Sequence, residues 1–172
     1  MDAVDGLRNI EEIRQVKYRH LRCVDLKLWD EIGDTLTEDA ILDYGPTAYG
    51  KPLKIVGPAE IAAFFRAKFG PDTLTSHTAG QPEITVDGDT ATGIWSLRDT
   101  LLATKHHMLI TGAAFYHDHY ERGADGRWRI ARTGYVRTYE AMMSLDDVPS
   151  FKIIAALAGT PDQEDYADAV VR

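Results

Sequence analysis

Four long strand-like segments joined by short connections fill the second half of the chain, and they constrain its fold more than any other feature. The segments cover residues 74–86, 90–103, 106–122 and 127–140. The sequence DGD (87–89) and the sequence GADG (123–126) are typical of the tight turns that join antiparallel neighbours. We therefore predict an antiparallel meander. Strands of this length must twist and bend, and Gly80, Pro82 and Gly93 are the expected bulge points.

The first part of the chain predicts three helices. Residues 7–24 carry apolar side chains every three to five positions, as an amphipathic helix does. The sequence DLKLWDEIGDTL (25–36) predicts a second, shorter helix. Residues 57–70 predict a third, because Pro58 suits a first helical position and Gly70 an end. Residues 40–44 are strand-like, and residues 49–57 predict a turn or hairpin.

Helices followed by an antiparallel meander predict an α+β fold. We expect a cone-shaped barrel, in which a curved, mostly antiparallel sheet packs on three N-terminal helices. Its open end would form a natural ligand pocket. A single domain is expected over residues 1–172, with a core at about 7–140 and a tail at 141–172. Short helices are expected in that tail around residues 151–157 and 162–171.

The charge balance argues against several partners. Asp and Glu total 27 against 19 Lys and Arg, a formal charge of −8, whereas nucleic acids and anionic membranes attract basic surfaces. The only cysteine, Cys23, excludes an intrachain disulfide. Neither a secretory signal nor an apolar run of membrane-spanning length is evident. We therefore expect a cytoplasmic protein that binds a small molecule, without nucleic acid or membrane partners.

Several polar and aromatic residues have both a structural and a functional interpretation. Asp25 could cap a following helix or act at a site, and Tyr18, seven residues earlier, shares its side of the first helix. His77 could be a polar residue near a strand start or a base. Asp99 could form a surface ion pair, and Arg137 could be a solvated strand residue.

Histidines and tryptophans on the long strands have similar alternatives. His117 and His119 share a strand face and could share an ion, but no ligand opposite them is fixed by the sequence, so no metal is expected. The three tryptophans are expected in the core. Trp95 could instead line the pocket, because it has the strand parity of Asp99.

Two motifs carry a family resemblance. The sequences DGDTATGIW (87–95) and YERGADGRWRI (120–130), together with the element order over about residues 7–140, resemble the SnoaL-like branch of the nuclear transport factor 2-like superfamily. One sub-branch includes scytalone dehydratase, bile acid 7α-dehydratase and hexachlorocyclohexane dehydrochlorinase. These enzymes use a His–Asp pair inside the cone, with neither a metal nor an organic cofactor.

The resemblance implies a set of site residues. Asp25 and His77 lie where the dehydratase aspartate and histidine lie, so His77 is the expected general base and Asp25 its orienting partner. Asp99 and Arg137 match the bile acid dehydratase pattern and are expected to bind substrate. Tyr18 is expected to donate a hydrogen bond to the substrate, although His20 falls at the spacing of the dehydratase tyrosine.

The resemblance implies a cofactor-independent lyase or isomerase, dehydratase-like, acting on an apolar polycyclic or aromatic molecule. Two alternatives stay open on the same scaffold. One is a non-catalytic ligand-binding or assembly domain, and the other is a structural partner similar to the small subunit of a ring-hydroxylating dioxygenase. Self-association into a dimer or a trimer is expected, because open sheets of this family bury one face against another copy.

Overall fold

A computed structural model describes residues 3–45 and 51–156, which form two helices and seven strands. The helices are α1 (Ala3–Asp25) and α2 (Pro58–Lys68). The strands are β1 (Leu36–Tyr44), β2 (Leu53–Val56), β3 (Thr73–Asp87), β4 (Thr90–Ala103), β5 (Met108–Arg122), β6 (Trp128–Thr133) and β7 (Tyr135–Ser144). The predicted α+β class is confirmed: a curved sheet packs against helices, and both helices precede the long strands β3, β4 and β5 in the chain.

All seven strands belong to one sheet in the order β2-β1-β6-β5-β4-β3, and β7 also pairs with β5. Every pairing is antiparallel except that of β1 with β6. Strand β5 pairs with β7 along its first part and with β6 near its end. One edge of β5 therefore pairs with two strands in succession, and the sheet divides into two branches there.

The prediction of a second helix at residues 25–36 is wrong. Residues 26–31 form turns, only Ile32–Thr35 make a short 3₁₀ helix, and β1 begins at Leu36. Lys27 adopts a left-handed φ of 62°, and the N–H of Leu28 donates to the carbonyl of Cys23. This pattern terminates α1 as a Schellman-type C-cap and prevents continuation of the helix. The sheet consequently packs on two helices and one 3₁₀ turn.

The predicted last strand, 127–140, divides in two at Gly134. A Cβ at Gly134 would overlap the carbonyl oxygen of Asp43 on β1, so only glycine permits this approach of the two backbones. The N–H of His117 donates to the carbonyl of Gly134. The chain changes neighbours at this point, because β6 pairs with β1 while β7 pairs only with β5.

The predicted bulge in β3 is confirmed, whereas the one at Gly93 is wrong. The register with β4 shifts between Gly80 and Glu83, where Gln81 has a φ of 49°. Gly93 keeps regular pairing and instead leaves space for the Trp95 indole, whose Nε1 would lie 2.9 Å from an added Cβ. Residues 151–156 contain no helix, and the helix predicted at 162–171 lies outside the described residues.

The core lies between the buried face of α1 and the inner face of the sheet. Its fully or nearly fully buried side chains include Ile13, Val24, Leu42, Trp95, Leu97, Trp128 and Ile130. Burial of each large apolar side chain stabilises the fold by roughly 1.5–3 kcal/mol. Trp95 and Trp128 are in the core as predicted, and Trp29 packs at its edge. In the part of the chain that the structure describes, neither helix has the length and apolar character needed to cross a membrane.

Candidate active site

A cavity of about 330 Å³ opens between the helices and the inner face of the sheet. The pairing of the strands places the residues of the cavity wall at three levels. Thr73 pairs with Ala103 near the mouth, His77 pairs with Asp99 at the middle level, and Tyr116 pairs with Tyr135 at the deep end. Apolar side chains form much of the remaining lining: Leu21, Val24, Phe65, Phe69, Leu97, Leu101 and Ile110.

His77, on this wall, forms a hydrogen-bonded pair with Asp25, which lies behind it at the end of α1. Asp25 Oδ1 lies 2.6 Å from His77 Nδ1, and Asp25 Oδ2 accepts the backbone N–H of His77 at 2.8 Å. The side chains are 21% and 8% exposed, respectively. The N–H groups of residues 26–28 donate instead to carbonyls of α1, so Asp25 does not cap a following helix.

The pair fixes the chemistry of the imidazole. Because the Asp25 carboxylate accepts at Nδ1, the neutral ring carries its proton on Nδ1 and leaves Nε2 unprotonated. His77 lines the cavity, and it also lines a second, shallower depression beside α1 together with Asp25 and Tyr18. An unprotonated Nε2 with a carboxylate behind it is the arrangement of a general base.

An ion pair lies beside this hydrogen-bonded pair. Arg137 Nη1 and Nη2 donate to the two carboxylate oxygens of Asp99 at 2.7 and 2.6 Å, which is the bidentate geometry typical of strong Arg–carboxylate pairs. Arg137 also covers the ring of Tyr135 at 4.7 Å. Burial alone would lower the pKa of Arg137, but its bonds to Asp99 raise it above the ordinary value. Asp99 and Arg137, both predicted from the sequence, line the cavity.

Gly112 makes this ion pair possible. It pairs with Asp99 on one side and Glu140 on the other, so the Arg137 side chain crosses directly over it. An added Cβ would lie 2.8 Å from Arg137 Nη1, 2.9 Å from the Tyr139 carbonyl oxygen and 3.2 Å from an Asp99 oxygen. Strand β5, which lies between β4 and β7, must therefore carry a glycine at position 112.

We expect Gly112→Ala to destabilise the protein by about 1–3 kcal/mol, because the added methyl overpacks a site bounded by backbone. Urea denaturation monitored by circular dichroism measures the change. Gly80→Ala is the matched control, since a Cβ there would meet nothing within 4 Å. Equal stability of the two variants would contradict the proposed role of Gly112.

His20 is a cavity residue to which sequence reasoning assigned no role. It is 3% exposed, and its Nδ1 lies 2.9 Å from the Thr35 hydroxyl. That hydroxyl already donates to the Ile32 carbonyl at 2.6 Å, so it accepts from Nδ1–H and leaves Nε2 of His20 as an acceptor. Burial, with the nearby Lys17 and His77, lowers the pKa of His20 to about 3. The His20 ring is therefore neutral. The sequence feature that could have identified His20 as a cavity residue was its spacing from Asp25.

The depressed pKa of His20 predicts a pH-dependent stability. With a pKa of about 3 when folded and 6.5 when exposed, only the unfolded chain takes up this proton between those values. The free energy of unfolding therefore falls as the pH falls, by at most about 1.4 kcal/mol per pH unit from this group. Urea titrations between pH 7 and 4 should show a smaller slope in His20→Asn. The exposed His119→Asn should keep the wild-type slope, and an unchanged slope in His20→Asn would refute the prediction.

Two predicted substrate-binding residues lie outside the cavity. Trp95 is fully buried and donates from Nε1 to the Tyr120 hydroxyl at 3.0 Å, so it cannot contact a ligand. Strand parity correctly predicted which face of the sheet Trp95 lies on, but it could not predict how deeply the side chain is buried. Tyr18 is 43% exposed, contacts Trp95 edge-on, and lines only the shallow outer depression. The side of α1 that Tyr18 shares with Asp25 faces away from the main cavity at that turn.

A buried polar network lies behind the deep end of the cavity. Lys17 Nζ and Asp118 Oδ2, both fully buried, are 2.7 Å apart, although the approach is off the hydrogen-bond direction. Asp118 also accepts from the hydroxyls of Tyr120 and Thr133, each at 2.7 Å. Lys17 Nζ lies 3.4 Å from the ring centre of Tyr116. The network thereby supports Tyr116 and Thr133, two residues of the cavity wall.

Metal ligation has no support among residues 3–45 and 51–156. Within these ranges no three His, Cys, Asp or Glu side chains lie together in a way that could hold an ion. His117 and His119 lie on the exposed side of β5.

Comparison with solved structures shows the same fold in several proteins. LinA-type3, a hexachlorocyclohexane dehydrochlorinase from Novosphingobium barchaimii, has a TM-score of 0.75 and 17% identity over 90% of this chain and all of its own. The Kfla4162 protein from Kribbella flavida has a TM-score of 0.72 and 22% identity over 79% of this chain and 95% of its own. ActVI-ORFA from Streptomyces coelicolor has a TM-score of 0.63 and 16% identity, covering 77% and 98%.

These identities are low enough that the structural matches establish the fold alone. The family model described as SnoaL-like domain matches residues 5–134, which include both motifs that carried the resemblance. That range covers most of the chain and contains Asp25, His77 and Asp99. The chain therefore belongs to the SnoaL-like domain family.

Proposed function

We propose that the protein is a cofactor-independent lyase that removes water, or a comparable leaving group, from an apolar cyclic molecule by β-elimination. One observation carries the proposal: Asp25 holds His77 by two hydrogen bonds on the wall of a largely apolar cavity. A carboxylate-anchored histidine that lines a ligand-sized cavity has the arrangement that a general base requires. The same observation favours an enzyme over a non-catalytic binding domain.

The proposed reaction begins at His77. Its Nε2 takes a proton from a carbon next to a substrate carbonyl, and Asp25 stabilises the imidazolium that forms. The electrons of the broken C–H bond form the new double bond as the C–O bond to the leaving hydroxyl breaks. The imidazolium returns its proton to that hydroxyl, which leaves as water, so the enzyme regains its initial protonation state.

Other cavity residues would bind the substrate oxygens. The hydroxyl of Tyr116 donates to no described residue and lies at the deep end, where it can donate to the carbonyl that becomes enolate-like. Burial, with the neighbouring Tyr135 and acidic groups, raises the pKa of Tyr116 well above its usual value, so the hydroxyl keeps its proton. The acceptor Nε2 of His20 can hold a substrate hydroxyl.

The test is a screen of cyclic β-hydroxy ketones with one to four rings, incubated with the purified protein and no added cofactor. Mass spectrometry would detect the loss of water, and absorbance would detect the conjugated product. Turnover that persists after treatment with chelator supports the proposal. Tight binding of ring compounds without any turnover would favour the binding-domain alternative, and stable co-purification with a larger chain would favour the subunit alternative.

We also propose that the protein self-associates through the outer face of the sheet. Ile94, Phe115, Val136 and Tyr139 are 37–59% exposed there, and Phe115 pairs directly with Val136. An apolar surface on adjacent strands is suited to a second copy of the same sheet. Light scattering coupled to size exclusion should show an oligomer that Phe115→Glu weakens and that Thr92→Glu, elsewhere on the outer face, does not. A monomeric wild type would refute this proposal.

A further inference from the structure

The charge of Arg137 is neutralised within the protein. Both terminal nitrogens bond to Asp99, and Nη2 also lies 3.0 Å from Glu140 Oε2. The remaining donor, Nε, is buried without a hydrogen-bond partner in the described residues and presents no surface to a ligand. Arg137 therefore cannot offer its planar fork to a substrate carboxylate, although recognition of carboxylates is a common role of arginine.

Glu140 shifts the balance of charge at this level of the cavity. Asp99 and Glu140 both line the cavity and both contact the single guanidinium of Arg137. Where β4 and β7 form the wall beside His77, two carboxylates against one guanidinium leave a local net negative charge. Lys68 also lines the cavity, but it lies on α2 and interacts with another residue of the protein. An anionic ligand would meet like charge here, and such contacts disfavour binding strongly.

The deep end of the cavity contains neutral polar groups. Tyr44, Tyr116 and Tyr135 form an aromatic cluster with ring centres 4.5 and 5.7 Å apart, and Thr133 lies beside them. The nearest additional cation, Lys17, lies against the Tyr116 ring and is paired with Asp118. Phenol groups and aromatic faces suit rings that carry hydroxyl or carbonyl oxygens.

We propose that the cavity selects uncharged ring compounds that carry a hydroxyl or carbonyl oxygen, and that Glu140 is the residue that excludes carboxylates and other anions. This inference rests on the proposed function, since it concerns the substrate of the same site. It adds a specificity residue at the cavity wall, distinct from the residues that move protons. The cavity volume of about 330 Å³ is near the lower end of the usual ligand range, roughly 300–1,000 Å³, which favours few rings.

Equilibrium binding of two matched probes tests the inference. The probes are 2-acetylnaphthalene, which is uncharged, and 2-naphthoate, which has the same rings and a carboxylate. Calorimetric titration at pH 7 should show that the wild type binds the ketone at least about tenfold more tightly. Methyl chemical-shift changes at Leu97 and Ile110, which line the cavity, would locate each probe there.

Glu140→Gln should strengthen binding of 2-naphthoate by about tenfold and leave the affinity for the ketone within about twofold. Glu121→Gln is the matched control, because Glu121 is an exposed acid of β5 outside this cavity. Equal affinity of the wild type for both probes would overturn the inference. So would an unchanged affinity of Glu140→Gln for 2-naphthoate, or binding of neither probe.

This experiment separates the inference from the proposed function, because binding is measured without turnover. If the wild type prefers the ketone but fails every elimination assay, the specificity inference stands and the proposed lyase activity is refuted. If the wild type eliminates water from a carboxylate-bearing substrate as readily as from its uncharged analogue, the lyase activity stands and the proposed role of Glu140 is refuted.

Discussion

Replacement of His77 with alanine is expected to lower kcat/KM for the elimination by about 10³-fold, within the range of roughly 10²–10⁴ that a positioned general base contributes. No other described residue offers an unprotonated nitrogen fixed by a carboxylate on the cavity wall. His20 has a free Nε2 but bonds a hydroxyl, not a carboxylate, through Nδ1. The effect should appear in kcat, because proton abstraction is the step that is lost.

The fold should tolerate this substitution. Asp25 Oδ2 can still accept the backbone N–H of residue 77, so the end of α1 stays attached to β3. Circular dichroism and thermal unfolding would verify that the variant is folded. Partial recovery of activity with added imidazole would show that the missing group is a base and not a packing element.

The chain provides a matched control for this experiment. His107 Nδ1 lies 2.7 Å from Asp146 Oδ1, which makes a second His–Asp pair with similar geometry. Its side chains are 65% and 73% exposed, and neither lines the cavity. His107→Ala should therefore keep wild-type activity. Full activity of His77→Ala on a genuine substrate would refute the proposed mechanism.

Features set by local chemistry could be predicted from the sequence. The turns at 87–89 and 123–126 and the long strands that flank them follow from alternating side chains and turn residues. The proximity of Asp25 and His77 is different, because they are 52 positions apart in the chain. Only the family resemblance brought these two residues together, since periodicity assigns a face to each element but not its neighbour.

The errors arose where tertiary contacts determine the backbone. Residues 25–36 have a helical pattern, but Lys27 adopts a left-handed conformation and its amine bonds the Thr75 hydroxyl on β3 at 2.8 Å. The break at Gly134 depends on the close approach of Asp43 from a distant strand. Neither contact has a signal within a sequence window, so the second helix and the undivided last strand were the natural local predictions.

The Lys17–Asp118 pair left a weak signal in the sequence. Lys17 lies four positions after Ile13 and four before Leu21, within the apolar side of α1. Asp118 has the strand parity of Tyr116 and Tyr120, which are buried. A charge on each of two apolar faces predicts a buried pair once the two elements are known to pack together. That packing was not available from the sequence.

Replacement of Lys17 with methionine is expected to lower the free energy of unfolding by about 3–5 kcal/mol, since it leaves the fully buried Asp118 carboxylate without its cation. Methionine approximates the volume of lysine, so the loss reports charge more than packing. Urea denaturation at pH 7 measures the change. Arg66→Met is the control: it breaks the exposed pair with Asp30, which should cost no more than about 1 kcal/mol.

A second variant separates the loss of charge pairing from general damage to the core. Asp118→Asn added to Lys17→Met removes the orphaned charge. The amide oxygen can still accept from one of the two hydroxyls, of Tyr120 or Thr133, which donate to different oxygens of Asp118 in the wild type. We expect the double variant to be more stable than Lys17→Met alone, because an unpaired buried charge costs more than a neutral amide. If both variants lose the same stability, methionine disrupts packing at Tyr116, and the buried ion pair does not account for the effect.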